Sequence, residues 1–301
     1  MNPSFLVITP AYNEEKYLPK TIEGMLAQTT LPDRWIIVDD GSTDQTGTII
    51  EQYARQYPWI SYIRRNKDPS QTYYASNVYA IQEGLRGCKE IPYDYLAILD
   101  ADISIPSDYY ERIFRCMAAD EKLGIASGIY VDNINGKLRK VMNDRRSTPK
   151  ALMVFRRQCF EEVGGFLPMR YGGEDTCACF TARMKGWKTW SFLQLRAIHN
   201  KPVGTGNADS LLKIRFKQGV GEYHLAVHPL FFLLKSVRRC FTEPPFLLGG
   251  MARVAGYLRG YFMRQEKQMP DALVRYVRWE HLHRIFEGNQ IPDRYRVDVV
   301  P

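Results

Sequence analysis

Residues 95–104 read YLAILDADIS, an apolar run that stops on Asp100 and Asp102. The run has the composition of a buried strand, and a strand interior has no use for two carboxylates. In an extended segment, side chains two apart share a face, so both acids are expected to point the same way. Like charges so placed repel unless a cation or hydrogen bonds compensate. Oxygen ligands of this kind suit Mg²⁺ or Mn²⁺, which keep open positions for phosphate oxygens. The alternative is a strand-end turn whose Asp caps a helix in IPSDYYERIF, residues 105–114.

Working outward, SFLVITP (4–10), RWIIVDD (34–40), ISYIRR (60–65) and the longer run 93–102 read as strands. Residues 14–28, 44–57 and 75–87 read as helices. Such alternation implies a parallel sheet with right-handed crossovers, whose ligand sits beyond the carboxyl ends of the strands. Three strands end in polar groups, VITPAYNE, IIVDDGSTD and AILDAD, and all three tips fall on that edge.

Each tip has its own chemistry. Pro10, Ala11 and Tyr12 form a stiff, flat-faced loop suited to stacking under a base or sugar. Glu14 lies within reach of the same ligand, or serves as a first-turn helix acid, a role Glu15 could fill instead. Gly41 permits a tight turn after Asp39 and Asp40. Asp40 is expected to accept a hydrogen bond from a nucleobase or ribose, and Asp44 to cap the next helix. Further on, LGIASGIYV (123–131), ALMVFRR (151–157) and KTWSFL (188–193) read as strands, with the polar stretch 135–150 between the first two. Gly172 and Gly173 give a flexible approach to a helix that is opened by Glu174 and Asp175 and ends at Gly186. An acid there is stabilised as its anion, so a general base needs its pKa raised by burial or by a neighbouring carboxylate.

The chain has 301 residues, 45% hydrophobic and 25% charged, enough for a large α/β domain or two smaller ones sharing a core. Its net charge is +8, with the basic clusters in the last third. That balance suits an anionic partner (a phosphate-bearing ligand, a membrane surface or nucleic acid) or a solvated basic face. Residues 208–290 look helical and rich in Phe, Leu, Tyr and Arg. Their longest run without Asp, Glu, Lys or Arg is the twelve residues 223–234, short of the roughly 20 residues that span a bilayer, which leaves an interfacial attachment or a packed helical appendage. The six cysteines show no CxxC pair, only a CxC at Cys177 and Cys179, and no signal peptide precedes the first strand. A reducing cytoplasmic setting is expected. No GxGxxG follows the first strand, against a Rossmann dehydrogenase. No recognition motif interleaves with the basic stretches, against nucleic acid as partner.

The ordered set VITPAYNEEKYLPKTIEGMLAQT, WIIVDDGSTDQT, LAILDADIS, MVFRRQCFEEVGGF and YGGEDTCACFTARMKGW, over roughly residues 4–190, resembles the family 2 glycosyltransferases. The resemblance implies an α/β GT-A fold: a Rossmann-like, mostly parallel sheet flanked by helices, here with a helical C-terminal extension. It implies transfer of a sugar from a nucleoside-diphosphate donor, uridine being the family's usual base, with inversion at the anomeric carbon. The acceptor would be a hydroxyl of a glycan or lipid-linked molecule in cell-surface polysaccharide or glycolipid synthesis. Residues 1–105 would form the donor-binding half, 106–207 the acceptor-binding half, and 208–301 a basic, aromatic extension able to contact the inner face of a membrane.

Carried over position by position, Pro10, Ala11, Tyr12, Glu14, Asp40, Asn77, Asp100 and Ala101 would bind the nucleotide sugar. Asp102 would hold Mn²⁺ or Mg²⁺, with His199 of AIHNKPVGTG as a further ligand in a mobile loop. Asp175 would be the general base, with Glu174 beside it. Lys201, Arg145 and Arg146 could neutralise the diphosphate, but solvated surface charge is what is expected of them. The segment before residue 87 departs from the family pattern, with Ser76 where Arg is common, as does EDTCACF after the acidic pair; both bear on sugar and acceptor preference. A catalytically silent nucleotide-sugar-binding module would use the same pocket without turnover.

Overall fold

The computed structural model describes residues 3–134, 137–140, 145–201 and 210–286. The described residues fall into two compact units, one from 3–168 and 174–201, the other from 169–173 and 210–286.

The first unit opens with the expected alternation: β1 (Phe5–Ala11), α1 (Leu18–Leu26), β2 (Arg34–Asp39), α2 (Thr46–Gln56), β3 (Ile60–Arg64), α3 (Tyr73–Arg86) and β4 (Tyr95–Ile98). It continues through β5 (Ile103–Ser104), α4 (Tyr109–Ala118), β6 (Leu123–Ile134), β7 (Lys137–Lys140) and, after a 3-10 turn at Lys150–Leu152, β8 (Val154–Arg156). α5 (Arg157–Val163), α6 (Glu174–Met184) and β9 (Lys188–His199) complete it. The strands lie in the order β3-β2-β1-β4-β8-β6-β9-β5, with β7 paired to β6.

β1 runs parallel to β2 and β4, and β2 parallel to β3. All seven β1 side chains are buried, as expected of a parallel strand covered on both faces. Helix α3 crosses closely enough that a Cβ on Gly84 would lie 2.8 Å from Ile8 and 3.2 Å from Val38. β8 then enters antiparallel between β4 and β6, and β6 runs parallel to β9. Among the described residues four strand pairings are parallel and four antiparallel, so the sheet is mixed where a mostly parallel one was expected: parallel across β3, β2, β1 and β4 and between β6 and β9, antiparallel at β8, β7 and β5.

Three local expectations are corrected. β4 ends at Ile98, and residues 99–102 form a turn closed by Ile103 N donating to the Asp100 carbonyl, 3.3 Å. Asp100 and Asp102 thus sit on a turn rather than on one face of an extended strand. Neither caps α4, which begins at Tyr109. Helix α1 starts only at Leu18, with Pro19 in its first turn, so Glu14 precedes it. Asn13 takes a left-handed φ of 54°, and its side chain accepts from Thr43 N at 2.9 Å, tying the loop after β1 to the loop after β2. His199 is the last residue of β9, paired with Ile103 and Asp132, not part of a loop. The glycines expected beyond it, Gly204 and Gly206, lie outside the described residues.

The second unit holds α7 (Leu211–His224), α8 (Pro229–Thr242), α9 (Leu248–Phe262) and α10 (Asp271–Phe286). α7 and α9 approach at glycines: a Cβ on Gly219 would lie 2.0 Å from the Arg253 carbonyl, and one on Gly256 2.1 Å from that of Phe216. No described helix is long and apolar enough to cross a membrane.

Candidate active site

The carboxyl ends of β1, β2 and β4 open into a pocket of about 450 Å³, mouth included, lined by Pro10, Ala11, Tyr12, Glu14, Asp40, Asn77, Asp100, Ala101 and Asp102. Every residue assigned from sequence to nucleotide-sugar binding is on that wall. Lys67 and Tyr73 complete it, and neither carries a sequence signal beyond its type.

Asp40 is buried behind the pocket. Arg65, two residues before Lys67, forms an ion pair with one of its oxygens, and the Ser76 hydroxyl donates to the other. Ser76 therefore engages the acid from α3, while a guanidinium arrives from the end of β3. Lys67 Nζ stands 3.5 Å from the centre of the Tyr12 ring, over its face. Asp44 accepts from the backbone N–H groups of Thr46 and Glu15, at 3.0 and 3.2 Å, fixing the start of α2.

Glu14 is buried. Its Oε1 accepts from Lys201 Nζ at 2.6 Å, while Oε2 has no partner among the described residues. Burial pushes its pKa up to about 7; the Lys201 bond opposes this, and the charges of Asp102 and Asp100 reinforce it. The expectation that Lys201 is solvated surface charge is thus corrected: two residues past the end of β9, it reaches the pocket wall. The Arg145 guanidinium stands over Trp190, and the Arg146 carbonyl accepts from Arg183 at 2.8 Å, so both residues are built into the packing behind α6 and β9.

His199 lies between two acids, Nδ1 2.8 Å from Asp132 and Nε2 3.2 Å from Asp102. Burial alone would lower its pKa, but the bonds and charges of Asp102 and Asp132 raise it to about 9. The Asp102 carbonyl accepts from Asn200 N at 2.8 Å, which fixes the turn against the end of β9.

Glu174 and Asp175 open α6, both recessed. The Asp175 carboxylate accepts from Thr176 N at 2.6 Å and from Lys150 N at 3.4 Å, and Glu174 Oε2 is buried without a partner among the described residues. Burial raises the pKa of both, and the charge of Asp175 adds to the shift at Glu174. Their approach, Gly172 and Gly173, holds φ of 79° and 95°, so the glycines are needed for conformation rather than flexibility.

Lys150 connects the two acidic groups. Its ammonium is 2.5 Å from Asp100 Oδ1, and its side chain is 10% exposed. Burial would lower its pKa; the charges of Asp100, Glu174 and Asp175 overrule that and raise it. Nothing in STPKALMVF marks this lysine. Its position follows from the pairing of β8 with β4, which sets the preceding 3-10 turn beside Asp100, whose N–H donates to the Ala151 carbonyl at 3.1 Å.

Among the described residues no three His, Cys, Asp or Glu side chains gather as a closed metal cage. An open set fits the chemistry better: Asp102, beside a pocket where the buried acceptors Glu14 Oε2 and Asn77 Oδ1 lack partners among the described residues, joined by His199 only once its Nε2 gives up a proton and its bond to Asp102. A hard divalent cation bound by one or two side chains takes its remaining ligands from water and phosphate.

Residues 6–176 match the family model described as glycosyl transferase family 2, and the chain belongs to that family. It is 31% identical over 111 residues to an uncharacterized glycosyltransferase of Mycoplasma pneumoniae, covering 36% of this chain and 34% of the relative. It is 30% identical over 116 residues to the beta-monoglucosyldiacylglycerol synthase of Synechocystis, covering 37% and 22%. The chain thus spans about a third or less of the length of these relatives. Among solved structures, it resembles a mannosyltransferase of Pyrobaculum calidifontis in complex with GDP-Man and Mn²⁺ (TM-score 0.57, 16% identity, 98% of this chain and 83% of that one). It also resembles S. aureus TarS in complex with UDP-GlcNAc (TM-score 0.56, 16% identity, 94% and 73%). These likenesses establish the GT-A fold.

Proposed function

We propose that the protein is an inverting glycosyltransferase that moves a sugar from a nucleoside diphosphate, uridine by preference, to a hydroxyl of a glycan or lipid-linked acceptor. The observation that carries this reading is the single pocket at the strand ends, where Asp40, Asp100 and Asp102 meet and Lys150 ties Asp100 to the Glu174–Asp175 pair. A nucleotide sugar in one similar structure, and GDP-Man with Mn²⁺ in another, support the donor class. A relative named as a beta-monoglucosyldiacylglycerol synthase supports a lipid acceptor; the reading adds a cytoplasmic membrane face and a place in glycolipid or surface-polysaccharide synthesis.

In this reading Tyr12 and Pro10 bear the base, Asp40 and Asn77 bind nucleoside polar groups, and Asp100 with the Ala101 segment faces ribose or sugar. Asp102 and His199 would hold Mn²⁺ or Mg²⁺, which would offset negative charge on the departing diphosphate. Asp175 takes the acceptor hydroxyl's proton as that oxygen bonds to the anomeric carbon and the bond to diphosphate breaks. The N–H groups of Thr176 and Lys150 aim its carboxylate. Glu174 orients hydroxyls of acceptor or donor.

A thermal-shift screen of nucleoside-diphosphate sugars with Mn²⁺ identifies the donor. Asp175→Asn should then lose about 10²–10⁴-fold in transfer while keeping donor affinity. Near-normal transfer by that variant refutes the base assignment, and donor binding with no product from any acceptor class leaves a silent binding module.

A further inference from the structure

α8 and α9 form a hairpin whose outer surface is apolar and stands exposed among the described residues. Leu230, Leu233, Leu234, Val237 and Phe241 recur along one face of α8 at helical spacing, all exposed. The corner continues the surface with Phe246, Leu247, Leu248 and Met251; Phe241, Phe246 and Met251 are 71%, 60% and 65% exposed. Single exposed leucines are ordinary, but a contiguous run of this size on a folded protein marks an interaction surface.

These side chains are not needed to hold the hairpin. Its inner face has its own means: Phe232 stacks on Tyr257 at 3.9 Å, α9 meets α7 through glycines, and a buried ionic cluster ties the three helices together. In that cluster Glu222 accepts from Arg239 at 2.6 Å, Lys235 at 3.0 Å and Arg253 at 3.4 Å, and Glu243 from Arg253 at 2.9 Å. The corner also breaks a local rule. Leu247 holds a left-handed φ of 59°, a conformation that glycine adopts freely and leucine does not. An apolar side chain retained at such a position points to a use outside the fold.

The charge around the surface selects the partner. Residues 210–286 carry thirteen Lys and Arg against five Asp and Glu, so the +8 of the chain resides in this segment. Arg238 is exposed on α8 beside Val237, and Arg259 and Arg264 are exposed at the far end of α9. An apolar face with Arg238 beside it, on a unit of net positive charge, matches an acyl boundary under anionic headgroups.

We infer that the outer face of the α8–α9 hairpin, with Phe241, Phe246 and Leu247 at its corner, docks onto an anionic lipid bilayer. This deepens the lipid-linked acceptor reading given above, and the test separates the two.

The full chain is floated with vesicles of phosphatidylcholine alone or mixed with phosphatidylglycerol, without donor. The expected result is flotation with the anionic vesicles, weakened by salt. Phe241→Ser with Phe246→Ser should lower partitioning roughly tenfold or more. Leu247→Gly guards against misfolding, because glycine suits the backbone there: it should lower flotation severalfold while leaving the melting temperature unchanged or higher. Protein that stays unbound with both vesicle types, or variants that float like the parent, overturn the inference. So does a concentration-dependent dimer in sedimentation that the same variants dissociate, which would give the face to a second copy of the chain. Donor binding, read on the same preparations by thermal shift with nucleoside-diphosphate sugar, tests the transferase reading independently of flotation.

Discussion

Glu222→Gln removes one negative charge from the cluster beneath the α8–α9 hairpin while keeping the side chain's shape. Burial alone would raise the Glu222 pKa, but Lys235, Arg239 and Arg253 hold it at about 2, against 4.5 for the free side chain. A difference of that size corresponds to roughly 3 kcal/mol. A second estimate agrees: removing one partner from a buried ion pair costs about 3–5 kcal/mol, since the remaining cations stay buried. Because the folded pKa is depressed, this stability is fully present above pH 4.5 and is lost as pH falls toward 2. Hydrogen exchange by mass spectrometry on α7 and α8 peptides reads the opening of this unit directly. The variant should open about 3 kcal/mol more easily on a plateau from pH 5 to 8, with the difference shrinking below pH 4.5. A loss under about 1 kcal/mol at pH 7, or one that does not narrow in acid, refutes the argument. The loosened hairpin should also float less well with anionic vesicles.

Lys150→Met should move the acid limb of kcat/KM to higher pH, because Asp175 loses the ammonium that favours its charged form. The lysine's own pKa is raised, so its contribution to stability is complete at pH 7 and lost only above its ordinary value of 10.5; a thermal melt at pH 7 should register the substitution. Gly84→Ala forces a Cβ to within 2.8 Å of Ile8 and should cost about 1–3 kcal/mol in denaturant unfolding without altering donor preference. His199→Ala should weaken Mn²⁺-dependent donor binding in calorimetry more than metal-free nucleotide binding; equal loss in both would remove His199 from the cation's neighbourhood.

How much of this could be read from sequence depended on whether a residue's surroundings were local. The ends of β1, β2 and β4 were legible because long buried runs fix the strands, and a carboxylate after such a run has one edge on which to lie. The turn at 99–102 was misread as strand, since alternating Asp-Ala-Asp looks the same in either conformation. His199 and Lys201 read as loop and surface because KTWSFL ends its apolar run early, while β9 continues through QLRAIH. Lys150 was invisible: a lysine in a polar stretch turns inward only because β8 inserts antiparallel beside β4, a pairing no local pattern announces.

The span from β4 to β5 sets a limit on the shape of the sheet. Ile98 ends one strand and Ile103 begins the other, five residues later, yet the strand order puts four neighbour steps between them. In a flat sheet four steps measure about 19 Å. The chain available reaches less: the turn from Asp100 to Ile103 covers under about 7 Å, and two extended residues add at most about 7 Å. The sheet therefore has to curve enough to bring β5 nearer the end of β4 than a flat sheet would, helped by the register shifts between β6 and β9. The short tether between the two strands thus acts as a drawstring. Lengthening it by even a few residues would let the edge fall open and carry His199 and Lys201 away from the acids they now meet.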